Sequence, residues 1–569
     1  MLTRRRCLIA LAIITGVGAC LRFYGLSKGA PYHHFHIDEH FVFAGADLLR
    51  QGMQKAAESQ KFFMYGPLPM HMVNAVRSVY EWFSGPLTLS APDDGTTYML
   101  LGRGISALLG TATIPMVFLI AHRLAGRAAG LIAAGLLASA VLHLRDSHFF
   151  TVDASMVFFC VATWAAAVAI ADRGRPVAYV AAGAAFGAAV ACKYNAIFLA
   201  PLIVAAHLCS PHTPRSIRPF GPWRRWALHG IAPLAIGAVV FLLLDPMVLL
   251  FHQKFRDDVA DQISNPLLGG SRPLWNANFR DIQPQLYWFT NLLPWGIGPA
   301  FAIWGVAGVC WLVTRRTRLA LAVAAYPLAY YAIAGQTVTP FIRYSLPLIP
   351  GLAVAAGVLC GDLLRHPRWH RVGIAATAIV VVSTALYAAA YMNIYTRPDI
   401  RLQASTLVGA MVPPGASIVV EPSHNIPPTG RYLREPDFYQ DYVAWGSHMT
   451  RSDQYVLHTL DVYRYLYDTN VPDEQKRRYI ERRLASADYI LMDDTFVELY
   501  DHLSGEEHDV VSDYYDDLFG GRLGFELVLH LKTSPKLFGF SINDEPAEFT
   551  FTLFDHPEIF LFKRTQPRS

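Results

Sequence analysis

Charge is scarce in this chain. Only 16% of its 569 residues are Asp, Glu, Lys or Arg, against about a quarter in ordinary soluble proteins, and 53% are hydrophobic, with a mean hydropathy of +0.28. A wholly soluble globular protein is thereby excluded, and an integral membrane protein with a soluble portion is indicated. Cysteine is scarce as well. Cys7, Cys20, Cys160, Cys192, Cys209, Cys310 and Cys360 all lie in or beside apolar segments, none in a long loop or the tail. Their spacing fits neither a zinc motif nor a disulfide framework, so the soluble portion must be held by its own core. Short internal repeats and low-complexity linkers are absent too.

The net charge of +4 hides an asymmetry: from Tyr391 onward there are 28 acids and 17 bases, which leaves 16 acids and 31 bases before it. The basic excess follows topology, and no nucleic-acid partner is expected. Apolar stretches long enough to cross a bilayer fall at about 7–26, 98–121, 128–144, 152–171, 177–192, 195–210, 228–250, 288–313, 319–335, 341–361 and 371–392. The first, behind Met1–Arg6, reads as a retained anchor rather than a cleaved signal. Arginines cluster in alternate connections: Arg4 to Arg6, Arg123 with Arg127, Arg173 with Arg175, Arg215 to Arg225, Arg315 to Arg318, and Arg365 to Arg371. All six share one side if the N-terminus is cytoplasmic, as the positive-inside rule requires. The loop 27–97, the loop 251–287 and the tail then lie outside.

The expected architecture is a polytopic α-helical membrane protein of about 11 transmembrane helices over 1–392, with an exoplasmic α/β domain over 393–569. In the tail, Ser417–Glu421, Asp488–Met492, Phe525–Leu531 and Phe549–Phe562 have strand character, and Asp473–Ala485 reads as a charged helix. A plasma (inner) membrane location with the tail exoplasmic or periplasmic follows from this topology.

A charge near the bilayer centre costs about 3 kcal/mol on insertion scales, so embedded ionisable residues are functional candidates by default. Arg103, Arg145, His148, Asp153, Lys193, Asp245 and Arg343 all map to the outer leaflet, the side that carries Asp38-Glu39 in the first loop. They are expected to line one outward-facing cavity. The ordinary alternatives are snorkelling, for Arg145 and Arg343, and a structural ion pair, for Arg103 with an acid of the first loop.

An external site has no nucleotide sugars within reach, so the chemistry that suits these groups is sugar transfer from a polyprenyl-phosphate carrier dissolved in the membrane. Such a transfer needs a carboxylate to take the acceptor proton and cations to stabilise the departing phosphate. Asp38 is the candidate base, Glu39 its neighbour, and Asp153 a second acid. Lys193, Arg343 and Arg103 are the candidate phosphate contacts.

At these residues the chain resembles family 39 of the GT-C membrane glycosyltransferases, which includes protein O-mannosyltransferases and lipid A 4-amino-arabinose transferases. The resemblance is carried by Asp38-Glu39 with Ala44, Leu48-Leu49 and Gly52, by Tyr65-Gly66-Pro67-Leu68, and by Arg103 with Gly110. It continues through Arg145–Asp153, Lys193-Tyr194-Asn195-Ala196 and Arg343–Pro350, and the tail ends on Asp555-His556-Pro557 as in large bacterial relatives. It implies a GT-C-like fold, an inverting transferase with Asp38 as general base, and an acid at Asp153 that assists or holds a metal in metal-using relatives. Where the family usually has Lys-Pro-Pro or His-Pro-Pro, this chain has Tyr65-Gly66-Pro67, and Lys61 stands near enough to substitute as a phosphate contact.

The partners implied are a polyprenyl-phosphate-sugar donor, the bilayer, and an acceptor that is a protein, a lipid or a cell-wall polymer. No cofactor is required. His36 and His40 crowd the carboxylates, so Asp38, Glu39, His36, His40 and Asp153 form a candidate set for a divalent metal (Mg, Mn or Zn), although the spacing matches no zinc motif. The rival reading is a polytopic transporter or lipid carrier with an outward charged cavity. Transporters place such charges near the midplane of two matched halves, and no paired halves are visible here.

Overall fold

The computed structural model describes residues 3–32, 35–59, 62–88, 92–211, 223–268, 274–429, 452, 454–501, 503 and 509–565. Among these, six helices are long and apolar enough to cross a membrane: Arg4–Phe23, Asp93–Ala138, Val152–Arg173, Trp226–Leu244, Leu348–Arg365 and His370–Met411, the last including a break near Met392. Four shorter apolar helices accompany them.

The stretches 98–121 and 128–144, expected as two spans, form two helices that fold back on each other within the segment Pro92–Ala138: a Cβ on Gly130 would lie 2.7 Å from the Phe118 ring. The segment leaves helical geometry only at Ala125 and Gly126, between Arg123 and Arg127. Gly126 takes φ 78°, and Arg365 Nη1 lies 3.4 Å from where its Cβ would be. Two of the arginine clusters read from the sequence thus meet at one end of the bundle.

Small residues let these helices approach closely. A Cβ on Gly357 would lie 2.6 Å from the Ala129 carbonyl oxygen, which seats Leu348–Arg365 on the helix that follows Gly126. One on Gly187 would lie 2.4 Å from the Gly237 oxygen, joining Pro176–Cys192 to Trp223–Leu244.

The first loop contains two amphipathic helices, Ile37–Gln51 and Leu68–Ser84. The second buries Leu68, Met70 and Val73 and turns Val79, Trp82 and Phe83 outward.

The tail folds as a five-stranded sheet, ordered β2-β1-β3-β7-β4, of β1 (Ser417–Val420), β2 (Val456–Thr459), β3 (Tyr489–Asp493), β4 (Phe525–Leu531) and β7 (Ile559–Arg564). β1 runs parallel to β2 and β3, and β7 antiparallel to β3 and β4. β5 (Lys536–Leu537) and β6 (Phe540–Ser541) make a separate hairpin. Strands form at Ser417, Tyr489 and Phe525 and a helix over Asp473–Ala485, where the sequence indicates them. The stretch Phe549–Phe562 is not one strand. Thr550–Leu553 is a helical turn, and pairing starts only at Ile559, past Asp555-His556-Pro557. Asp555 is turned toward the membrane helices, and Pro557 has no N–H to give to a ladder.

The tail is packed onto the helix ends. Phe551 joins the membrane core, and Phe149, Phe279 and Phe341 join the core of the tail.

Candidate active site

Asp38 lies in the first turn of Ile37–Gln51, almost fully buried. Its Oδ1 accepts from the Tyr65 hydroxyl at 2.6 Å, and its Oδ2 accepts from Arg343 Nη1 at 2.5 Å. Burial pushes the Asp38 carboxyl up, but the Arg343 guanidinium, His36, the Tyr65 hydroxyl and Lys193 together outweigh it and hold the group below its ordinary range. The carboxylate is therefore ionised at neutral pH.

Close backbone approach puts Tyr65 there. Gly66 N–H donates to the Cys192 carbonyl at 3.1 Å, and a Cβ on Gly66 would sit 2.1 Å from the Ala191 oxygen. Only glycine lets the first loop press on the end of Pro176–Cys192. That contact brings the Tyr65 ring beneath Lys193, whose Nζ stands 5.9 Å from its centroid and 5.5 Å from that of Tyr344. Lys193 donates to Asp153 Oδ1 at 2.8 Å. Arg343 comes from a 3-10 turn, Ile342–Ser345, ahead of Leu348–Arg365, and lies over Phe341 and Tyr344. Asp38, Tyr65, Lys193, Asp153, Arg343 and Tyr344 make one cluster at the helix ends beneath the tail. Its cations keep partial access to solvent, 20% for the Arg343 side chain and 14% for Lys193, and among the described residues buried Arg343 Nε has no hydrogen-bond partner.

Other predicted members are elsewhere. Glu39 is fully buried and clamped by Arg103, Nε to Oε1 at 2.8 Å and Nη2 to Oε2 at 2.7 Å; Phe150 N–H also donates to Oε1. Arg103 spends Nη1 on the Leu26 and Lys28 carbonyls. This is the structural ion pair, and it engages Arg103 with Glu39 and not with the Asp38 cluster. Arg145 does not snorkel. It is buried against Asp555 (Nε to Oδ2, 2.6 Å) and the Thr550 carbonyl, and Asp555 also accepts from Tyr391 and Tyr395, both at 2.7 Å. Asp245 accepts from Tyr194 at 2.9 Å and borders a separate, largely apolar cavity of about 280 Å³ with Leu49, Pro67, His71 and Met247. The embedded charges thus divide among several buried clusters instead of lining one cavity. Lys61 lies outside the described residues.

The candidate metal set does not converge. Glu39 is taken by Arg103 and Asp153 by Lys193, while Asp38 is held by Tyr65 and Arg343. The His36 ring is packed between Phe149 and Phe554, and burial pushes its pKa down to about 3. Among the described residues no three His, Cys, Asp or Glu side chains are placed to hold an ion. Asp38, Glu39, His36, His40 and Asp153 therefore do not fit a divalent metal as they stand.

Two contributions escaped sequence reasoning. The hydroxyl of Tyr65 was detectable only as a polar group at a family motif position. The other is His424, in the loop after β1. Arg401 Nη1 binds Asn425 Oδ1 at 2.8 Å and reaches the Phe35 carbonyl at 3.5 Å, Ser423 donates to Asp493, and His424 comes within electrostatic reach of Asp38 and His40. Nothing in the local sequence marked it.

Residues 99–246 match the family model described as dolichyl-phosphate-mannose-protein mannosyltransferase. The apo oligosaccharyltransferase of Archaeoglobus fulgidus superposes with a TM-score of 0.50 at 12% identity, over 96% of this chain and 75% of its own. The fold is shared with this oligosaccharyltransferase. ArnT from Cupriavidus metallidurans bound to undecaprenyl phosphate is similar at 15% identity and TM-score 0.47, over 87% of this chain and 95% of its own. The Saccharomyces cerevisiae protein O-mannosyltransferase Pmt1–Pmt2 complex bound to the sugar donor is similar at 16% identity and TM-score 0.33, over 45% and 35%. No curated protein sequence matches the chain. In this fold the Asp38 cluster occupies the end of the bundle covered by the tail.

Proposed function

We propose that the chain is an inverting glycosyltransferase that moves one sugar from a polyprenyl-phosphate carrier to an acceptor hydroxyl, with Asp38 as general base. One observation carries the reading: an ionised, nearly buried carboxylate shares a cluster with two partly accessible cations, Arg343 and Lys193. The match over 99–246 to a family whose described donor is a dolichyl-phosphate sugar supports the donor class.

Donor binding brings a phosphate anion to Arg343 and Lys193. Arg343 then shifts from Asp38 toward phosphate, which removes the strongest influence holding the Asp38 pKa down and makes the carboxylate a better base. As the bond from the anomeric carbon to the phosphate oxygen breaks, its electron pair leaves with the polyprenyl phosphate, which the two cations stabilise. The acceptor oxygen attacks the opposite face of the sugar, and Asp38 takes its proton. Asp153 orients Lys193 through their 2.8 Å bond. The apolar cavity beside Pro67 suits the first prenyl units.

The membrane part, 1–392, forms the catalytic unit with an N-terminus in the cytoplasm. The tail, 393–569, sits exoplasmically over the site, in a plasma (inner) membrane, and the acceptor is a protein, a lipid or a cell-wall polymer. The test is release of polyprenyl phosphate from polyprenyl-phosphate sugars by the purified protein, compared with Asp38→Asn. Uptake of these donors into sealed vesicles without glycosidic bond cleavage would replace the enzyme by a carrier.

A further inference from the structure

Among the described residues of the tail, the hairpin β5–β6 carries the most exposed large apolar side chains. Leu537 pairs with Phe540, and Ile542 N–H closes the base on the Pro535 carbonyl at 2.8 Å. Its two-residue turn is Phe538-Gly539, with φ of 49° and 89°. Both central residues are left-handed, as in the type I′ turns that Asn-Gly usually fills. A bulky side chain there is costly. This chain nevertheless carries phenylalanine, and the rings of Phe538 and Phe540 are 85% and 80% exposed. Each aromatic ring of this size offers on the order of 150–250 Å² of surface to bury.

The position of the hairpin says what covers them. β5 packs on the helix His370–Met392 and on the turn Asn393–Thr396 that follows it. Further along, Asp544 comes within electrostatic reach of Tyr387, the Pro546 carbonyl accepts from Asn291 Nδ2 at 2.7 Å, and Glu548 N–H donates to Asn291 Oδ1 at 2.9 Å. The segment is therefore tied to the ends of two apolar helices on the side of the Asp38 cluster. The outward face of His370–Met392 carries Ile374, Ile379, Val382 and Leu386, all exposed as lipid-facing residues are, and Leu286 and Phe289 are exposed near Asn291. β5 meets this helix at the end from which the turn Asn393–Thr396 leaves. That is the boundary of hydrocarbon and headgroups, where aromatic side chains are favoured.

We propose that the Phe538-Gly539-Phe540 tip is a membrane-interface anchor whose two rings are buried in the phospholipid layer at the outer end of the bundle, so that the tail is held to the bilayer as well as to the helices. The hairpin packs on the very helix that carries that lipid-facing surface, which identifies the occupant as lipid. The proposal stands whether or not the chain transfers sugars.

The test places the photoreactive p-benzoylphenylalanine at position 538, and separately at 540, in the full-length protein in phosphatidylethanolamine/phosphatidylglycerol nanodiscs. The exposed Val456 position, on the edge strand β2 of the five-stranded sheet, is the comparison. Irradiation is expected to add the mass of one phospholipid to the peptide carrying 538 or 540, about tenfold more often than to that carrying 456. Phe538→Trp reads the same contact independently, through quenching of its added fluorescence by brominated lipids. Adducts no more frequent than at 456, no quenching of the added tryptophan, or cross-linking to a second copy of the chain would each overturn the proposal.

Discussion

Arg343 and Asp38 meet at 2.5 Å across 305 positions of chain, and the Tyr65 hydroxyl occupies the other oxygen of the same carboxylate. The pair joins the first loop to the turn ahead of Leu348–Arg365 and puts a cation beside the proposed base. Which group each charge touches, more than how many charges there are, separates the proposed catalytic residues from the structural ones.

Tyr65→Phe removes a hydrogen bond that favours the ionised Asp38. The Asp38 pKa therefore rises, and the acidic limb of the pH profile of kcat/KM moves to higher pH. At pH well above that limb the variant retains most of its activity. A profile with an unmoved acidic limb contradicts the role of Tyr65.

Lys193→Met and Arg343→Met each remove one proposed phosphate contact. Each is expected to lower turnover about 10²–10³-fold, the usual cost of losing one group that stabilises developing negative charge. Steady-state kinetics with a polyprenyl-phosphate sugar checks this, with thermal unfolding to confirm that the protein is folded.

Arg103→Ala leaves Glu39 buried and unpaired, and is expected to destabilise the protein by about 3–5 kcal/mol. The double variant Arg103→Met/Glu39→Gln removes both charges and recovers much of that loss. Activity per folded molecule changes little in the double variant. A large fall in its kcat with normal stability would return Arg103 to the phosphate site.

Glu421 gives the tail a pH dependence of predictable sign. Burial pushes its carboxyl up to about 8, although Tyr514 and Tyr515 both donate to it at 2.9 Å. Between the ordinary glutamate pKa near 4.3 and about 8, the folded state binds the proton that the unfolded state has lost. Stability is therefore highest below that window, falls as pH rises through it, and levels off above. Glu421→Gln flattens this slope, as thermal unfolding at pH 5 and pH 8 would show.

Much of this was legible in the sequence because membranes impose strong rules. Long apolar runs must be buried in lipid or protein, so the helical bundle could be read between Arg4 and Arg371. Asp38, Lys193 and Arg343 stood out because ionisable groups in such a setting need a reason. Pairing was less legible. Glu39, beside Asp38, turns to Arg103 because successive helical residues point in different directions. Arg145 found a partner 410 positions away, in a segment that looked like strand. The break between Thr550 and Ile559 exists because Asp555 serves the membrane helices, a demand no local pattern encodes. His424 is positioned by Arg401 and Asp493, and only the assembled tail brings it to Asp38.

The most direct test of the account is single-turnover cleavage of a radiolabelled polyprenyl-phosphate sugar, in the presence of acceptor, by wild type and by Asp38→Asn of equal thermal stability. Loss of the base is expected to slow formation of the new glycosidic bond by about 10²–10⁴ while donor binding persists through Lys193 and Arg343. Equal rates from the two proteins would contradict the assignment of Asp38, and with it the proposed mechanism.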